Sequence, residues 1–233
     1  MAGEALPPRD PETVLSALLS LTENRIVPLT RRGVSSGCKL FGAAILSSTT
    51  LEPLTVATND ERASPLLHGE INCIQQFFTE TFPDPAARPS PRTGCVFFAT
   101  HEPCSLCLSG IAWSGFREVY YLFTYEDSRD LFAIPHDIDI LEAVFRVRAD
   151  GEADDALARR PLYNRDNRFF TARSLADLVA ELPEGDGDGD GDGGSRRERW
   201  AREMERVKGL YNALSDTYQE GKKAGAASSS VWK

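Results

Sequence analysis

Apolar and polar positions alternate along the chain in two rhythms, one helical and one extended. Val14, Leu15, Leu18, Leu19 and Leu21 recur at helical spacing behind Asp10, a capping residue, and Pro11, which suits a first helical position. A helix is therefore predicted from Asp10 to about Asn24. Phe41–Leu46 and Leu54–Thr58 read as short strands around the Ser-Thr-rich turn at Ser47–Glu52. A short helix is predicted to open at His68 and to run through Ile71 to Phe78. Pro83, Pro85, Pro89 and Pro91 mark a loop. The apolar run Cys95–Ala99 suits a buried strand, and Pro103 then opens a helix through Cys104 to about Ser114. Glu118–Phe123, rich in Val, Tyr and Phe, is the next strand. Asp137–Val147 and Ser174–Leu182 return to helical spacing. Strands alternating with helices predict an α/β sheet with helices packed on it.

This pattern stops near Leu182, so residues 1–182 are read as one domain. Residues 183–195 are an Asp/Gly-rich linker, too polar to pack and too rich in glycine to hold one conformation. Asp186, Asp188 and Asp190 followed by Gly191 match the first half of a calcium-binding EF-hand loop. The bidentate Glu that such a loop needs at its twelfth position is Arg197 here, so the linker reading is preferred. Trp200, Met204, Val207, Tyr211, Leu214 and Tyr218 then form one helical stripe within 196–223, read as a single continuous helix docking back on the domain, with a partner-binding or coiled-coil helix as the alternative. Residues 224–233 are a Gly-Ala-Ser-rich tail without a packing pattern.

Composition narrows the function. Hydrophobic residues make up 41% of the 233, enough for a core without disulfide staples. Thirty-five acidic residues against 26 basic ones give a formal net charge of -9. Binding to nucleic acid draws on Lys and Arg neutralising phosphates, and neither Arg31-Arg32 nor Arg196-Arg197 amounts to a patch. A nucleic-acid partner is therefore not expected. No apolar run reaches the roughly 20 residues of a membrane span, and Met1–Asp10 has no signal-peptide pattern. Cytoplasmic residence is the expectation, with the nucleus as the other compartment open to it. In that setting the five cysteines favour metal or redox chemistry over a disulfide framework.

His68-Gly69-Glu70 and Pro103-Cys104-Ser105-Leu106-Cys107 carry the chemistry. One imidazole and two thiolates suit zinc in softness and number. Cys104 and Cys107 stand three apart at a helix start, where both sulfurs leave from one turn and the helix N-terminus favours thiolates. Three protein ligands leave a tetrahedral position open, the mark of catalytic rather than structural zinc. Glu70, two residues past His68, is placed to hold and pass on a proton beside that position. H-x-E followed by P-C-x-x-C is a known signature of zinc-dependent nucleobase deaminases.

On these residues the sequence resembles the cytidine and deoxycytidylate deaminase superfamily, in the branch of cytosine deaminase, guanine deaminase and tRNA adenosine deaminase. The resemblance runs from about Val14 to Ala149. His68-Gly69-Glu70-Ile71 is similar to cytosine deaminase. Glu102-Pro103-Cys104, with Cys107-Leu108 and Ile111-Ala112-Trp113, is more similar to guanine deaminase. The resemblance implies a three-layer α-β-α fold with a five-stranded mixed sheet, a homodimer, zinc held by His68, Cys104 and Cys107, and Glu70 as the catalytic proton shuttle. It also implies that Asn59, before the H-x-E motif, holds the substrate. His101, His136 and Trp113 are further candidates for the pocket wall, Trp113 by stacking on a base. Each has a plainer reading, as a loop or surface group for the histidines and as core for Trp113. The expected activity is hydrolytic deamination of a small aminoheterocycle, a free nucleobase of the cytosine or guanine type or an analogue, with release of ammonia. The alternatives are adenosine-to-inosine editing of tRNA and a non-catalytic module built around zinc. The acid-rich composition disfavours the first, and an intact Glu70 the second.

Overall fold

The computed structural model describes residues 9–184 and 194–225. The Asp-Gly run at 185–193, with its EF-hand half-match, lies outside them, as does the tail from residue 226 onward. Asp10 caps helix α1 (Pro11–Leu21), accepting from the Thr13 amide at 2.9 Å. The chain does not stop at Asn24. It passes through a π-helical turn at Thr22–Ile26 into α2 (Val27–Val34), because Pro28 suits a first turn and Val27, Thr30 and Val34 continue the buried stripe. Strands β1 (Gly42–Ser47) and β2 (Pro53–Thr58) form an antiparallel pair. Helix α3 (Gly69–Gln76) follows, then β3 (Cys95–His101), α4 (Ser105–Ser114) and β4 (Glu118–Phe123).

The five-stranded sheet has the order β2-β1-β3-β4-β5, with β3, β4 and β5 (Thr171–Ser174) parallel and β1 antiparallel to β3. Every residue of β3 is buried, so its alternate side chains feed two different cores. Val96 and Phe98 join α1, α2 and α8 (Leu175–Glu181) on one face. Cys95, Phe97 and Ala99 join Cys73, Ile74 and Phe77 of the α3 segment and Leu108 and Ile111 of α4 on the other. The result is the mixed, helix-covered sheet expected.

Between β4 and β5 come α5 (Tyr125–Phe132), α6 (His136–Ile140) and α7 (Asp154–Arg159). Ala133, at φ 54°, ends α5 in the left-handed region and turns the chain into α6. The stripe from Trp200 to Tyr218 is not one helix. It is α9 (Arg196–Gly209) and α10 (Asn212–Lys223), broken by a tight turn at Leu210–Tyr211 just past Gly209. Met204, Val207, Tyr211, Leu214 and Tyr218 are buried in the same core as α1. Among the described residues, no helix is long and apolar enough to cross a membrane.

Candidate metal centre

The N-termini of α3 and α4 meet on one face of the sheet, and two glycines let them. A Cβ on Gly69 would stand 3.0 Å from the Phe41 carbonyl and 3.1 Å from Gly42 Cα, so α3 starts directly on β1. A Cβ on Gly110 would stand 2.6 Å from Ile71 Cδ1, so α3 and α4 lie close. His68 caps α3 and Cys104 caps α4 in extended backbone, which brings their side chains together in front of the two helices.

His68, Cys104 and Cys107 place their donor atoms within 4.8 Å of one another. Zinc–nitrogen and zinc–sulfur bonds of about 2.05 and 2.3 Å at a tetrahedral angle separate such donors by about 3.6 Å. His68 Nδ1 lies 3.4 Å from Cys104 Sγ and 3.7 Å from Cys107 Sγ. The donor set and its spacing both fit the metal. Charge is already shared within the cluster. A hydrogen bond from Cys107 holds the Cys104 thiol well below its ordinary pKa, with His68 helping against burial. Burial and the charge of Cys104 push Cys107 well up. Burial opposes a charged imidazole, but Cys104 outweighs it and raises His68 to about 9. A divalent cation would displace these protons.

Glu70 is 4% exposed, and its carboxylate accepts from the Cys107 thiol while Oε2 has no partner. Burial, with the charge of Cys104, raises its pKa to about 7. Asn59 is also buried. Its Oδ1 accepts from the Gly69 amide at 2.7 Å, its backbone N–H donates to Phe41 at 3.2 Å, and its Nδ2 has no partner. Two unmet polar atoms thus border the helix starts that carry the donors.

The other sequence candidates divide differently. His101 is not at the pocket wall. It is 3% exposed, with the rings of Phe41, Phe123, Phe132 and Tyr211 centred 4.3–5.5 Å away, and Nδ1 lies 2.9 Å from Thr100 Oγ1. Its ring is packed among aromatic side chains, with Nε2 left without a partner. Trp113 is 92% exposed, so it does not fill the core. His136 is half-buried at the start of α6, where burial and Lys39 lower its pKa. Its neighbour Asp137 is the group in electrostatic contact with the cluster. Burial and the charges of Cys104 and Glu70 raise Asp137 to about 8, while His68 and Lys39 pull the other way. Sequence reading used Asp137 only as a helix start. Nothing local distinguishes it from the other acids of the first turn.

Residues 27–123 match the family model of the cytidine and deoxycytidylate deaminase zinc-binding region. The chain carries this deaminase zinc-binding region. His68, Glu70, Cys104 and Cys107 all lie within the matched span. Solved structures of deaminases align at low identity. A guanine deaminase from Bacillus subtilis covers 62% of this chain and 83% of its own, at 22% identity and TM-score 0.44. The guanine deaminase from Nitrosomonas europaea covers 88% and 94%, at 15% identity and TM-score 0.40. A deaminase of A-to-I editing at the wobble position of transfer RNA covers 42% and 72%, at 20% identity and TM-score 0.35. No curated protein sequence matches significantly.

Proposed function

We propose that the chain is a zinc-dependent hydrolytic deaminase of a small aminoheterocycle, a free nucleobase of the cytosine or guanine type. The observation that carries this reading is the pair of buried, unpartnered atoms, Glu70 Oε2 and Asn59 Nδ2, beside a three-donor metal cluster. Buried polar groups are rarely left unpaired without a functional reason. Asn59 Nδ2 offers free N–H donors, which suit a ring nitrogen or carbonyl oxygen. Asp137, raised to about 8, offers a carboxyl that suits a ring nitrogen or an N–H of the same heterocycle.

His68, Cys104 and Cys107 would hold the zinc. When bound, zinc supplies the Lewis acidity that brings the pKa of water to about 7. Glu70 would take one proton from the attacking water and give it to the ring nitrogen, then take the second, from the hydroxyl left on the carbon, and give it to the departing amine. The C–NH2 bond is replaced by C=O and ammonia leaves. Raised to about 7, the Glu70 carboxyl can both accept and return a proton near neutral pH. Asn59, fixed at Oδ1 by the Gly69 amide, orients the base without moving itself.

A homodimer belongs to the same reading. Trp113 and Leu106 leave an apolar stripe on the outer side of α4 that a second copy would cover.

The decisive experiment is ammonia release from zinc-loaded protein over a panel of bases, nucleosides and other aminoheterocycles, with Glu70→Gln as the control. Turnover of at least one free base, lost in the control, is expected. A fully loaded protein inert toward the whole panel would refute the reading.

A further inference from the structure

Glu102 stands at the join between β3 and the metal-binding turn, two residues before Cys104, and is 7% exposed. The chemistry above gives it no task, yet its carboxylate is gripped from three directions. The Tyr163 hydroxyl donates to Oε1 at 2.9 Å from 61 residues away. The Tyr125 amide donates to Oε2 at 3.2 Å. The Tyr121 hydroxyl bonds to it as well. Arg165 Nη1 donates to the Tyr121 oxygen at 2.8 Å, which leaves the Tyr121 proton for Glu102. Its surroundings in the chain are fixed too. The Glu102 amide donates to the Phe123 carbonyl at 2.8 Å, and the Tyr125 hydroxyl donates to the Pro103 carbonyl at 2.5 Å.

A peptide segment held at its amide, its carboxylate and the next carbonyl has little freedom left to rotate. Cys104 follows at once, in the capping position whose backbone angles set the direction of its sulfur. We infer that Glu102, held by Tyr163, is a positioning residue for Cys104, fixing the turn that aims Cys104 Sγ at His68 Nδ1. Through Tyr163, the irregular stretch between α7 and β5 thus governs how tightly the centre holds its metal. The inference rests on the metal site of the proposed function. Groups behind the ligands of a metal commonly change its affinity 10- to 100-fold when removed.

The test uses the full chain and Tyr163→Phe, which keeps the ring that meets Tyr125 edge-on at 6.1 Å and removes only the hydroxyl. Zinc affinity is measured by competition with a chelator, at a temperature where circular dichroism shows each protein folded. The cobalt-substituted spectrum is recorded alongside. The expected result is a 10- to 100-fold weaker zinc affinity and an altered cobalt spectrum. A merely structural hydrogen bond would lower the melting temperature and leave both readouts of the folded protein unchanged, which overturns the inference. Glu102→Gln and the double variant complete a cycle. If Tyr163 acts through Glu102, the double variant loses no more affinity than Glu102→Gln alone, and fully additive losses overturn the link. If Glu102→Gln does not fold, Tyr163→Phe decides by itself. Wild-type protein that takes up no zinc sinks the metal site. Wild type and Tyr163→Phe with equal affinity sink only the positioning role.

Discussion

Glu70 can be separated from its metal-binding neighbours by substitution, because it touches the Cys107 thiol without belonging to the donor set. Glu70→Gln should keep zinc and fold while turnover falls at least about 100-fold, the ordinary worth of a positioned proton shuttle. Metal analysis and steady-state rates on one preparation check this. Asp137→Ala should act on substrate binding, raising KM by the equivalent of about 1–3 kcal/mol as one buried edge of the substrate loses its partner. An unchanged KM would remove Asp137 from the site. His101 carries a different prediction. Burial, with Lys208 nearby, holds its pKa well below the ordinary 6.5, so the folded protein keeps it neutral. The unfolded chain binds that proton first, so the contribution of His101 is complete above pH 6.5. It is lost below, at about 1.4 kcal/mol per pH unit until the folded-state pKa is reached. Urea unfolding at pH 7.5 and 5.5 should therefore show a smaller pH effect in His101→Phe than in wild type.

At the scale of elements, the approach of α3 to β1 leaves no room beside Gly69. All three close neighbours of an added Cβ there are backbone atoms, so Gly69→Ala should cost about 1–3 kcal/mol by overpacking, measurable in a thermal melt. The elements that the sequence made legible are those with a strong period or a chemical marker. The capped start of α1, the fully apolar β3 and the cysteine-bearing start of α4 needed no tertiary information. β5 was missed because Thr-Ala-Arg-Ser is four residues long and has no apolar rhythm of its own. It pairs because β4 offers it an edge. The break in the last helix was missed because Tyr211 keeps the apolar stripe in phase on both sides, while Gly209 alone is a weak stop. The metal donors, and Glu70 beside them, could be read from a motif. Asp137 could not, since its coupling to the cluster is a tertiary one that no local pattern marks. His101 and Trp113 misled for opposite reasons, as neighbours of the motif whose burial no single sequence shows.

Over the whole molecule, charge and metal content make two further predictions. A chain of net charge -9 should not edit a tRNA anticodon stem-loop even at low salt, and inosine formation with every free base inert would reverse the choice of substrate. Zinc should co-purify at about one ion per chain, read by elemental analysis. The centre also does something for the chain as a polymer. His68 and Cys104 are 36 residues apart, with a proline-rich loop and all of β3 between them. Joining such ends costs about 3 kcal/mol of loop-closure entropy, which a bound ion covers in advance. The ion is in effect a removable cross-link. Chelation should loosen α3 and α4 together, and their amide protons should begin to exchange as a single cooperative unit before the rest of the sheet opens.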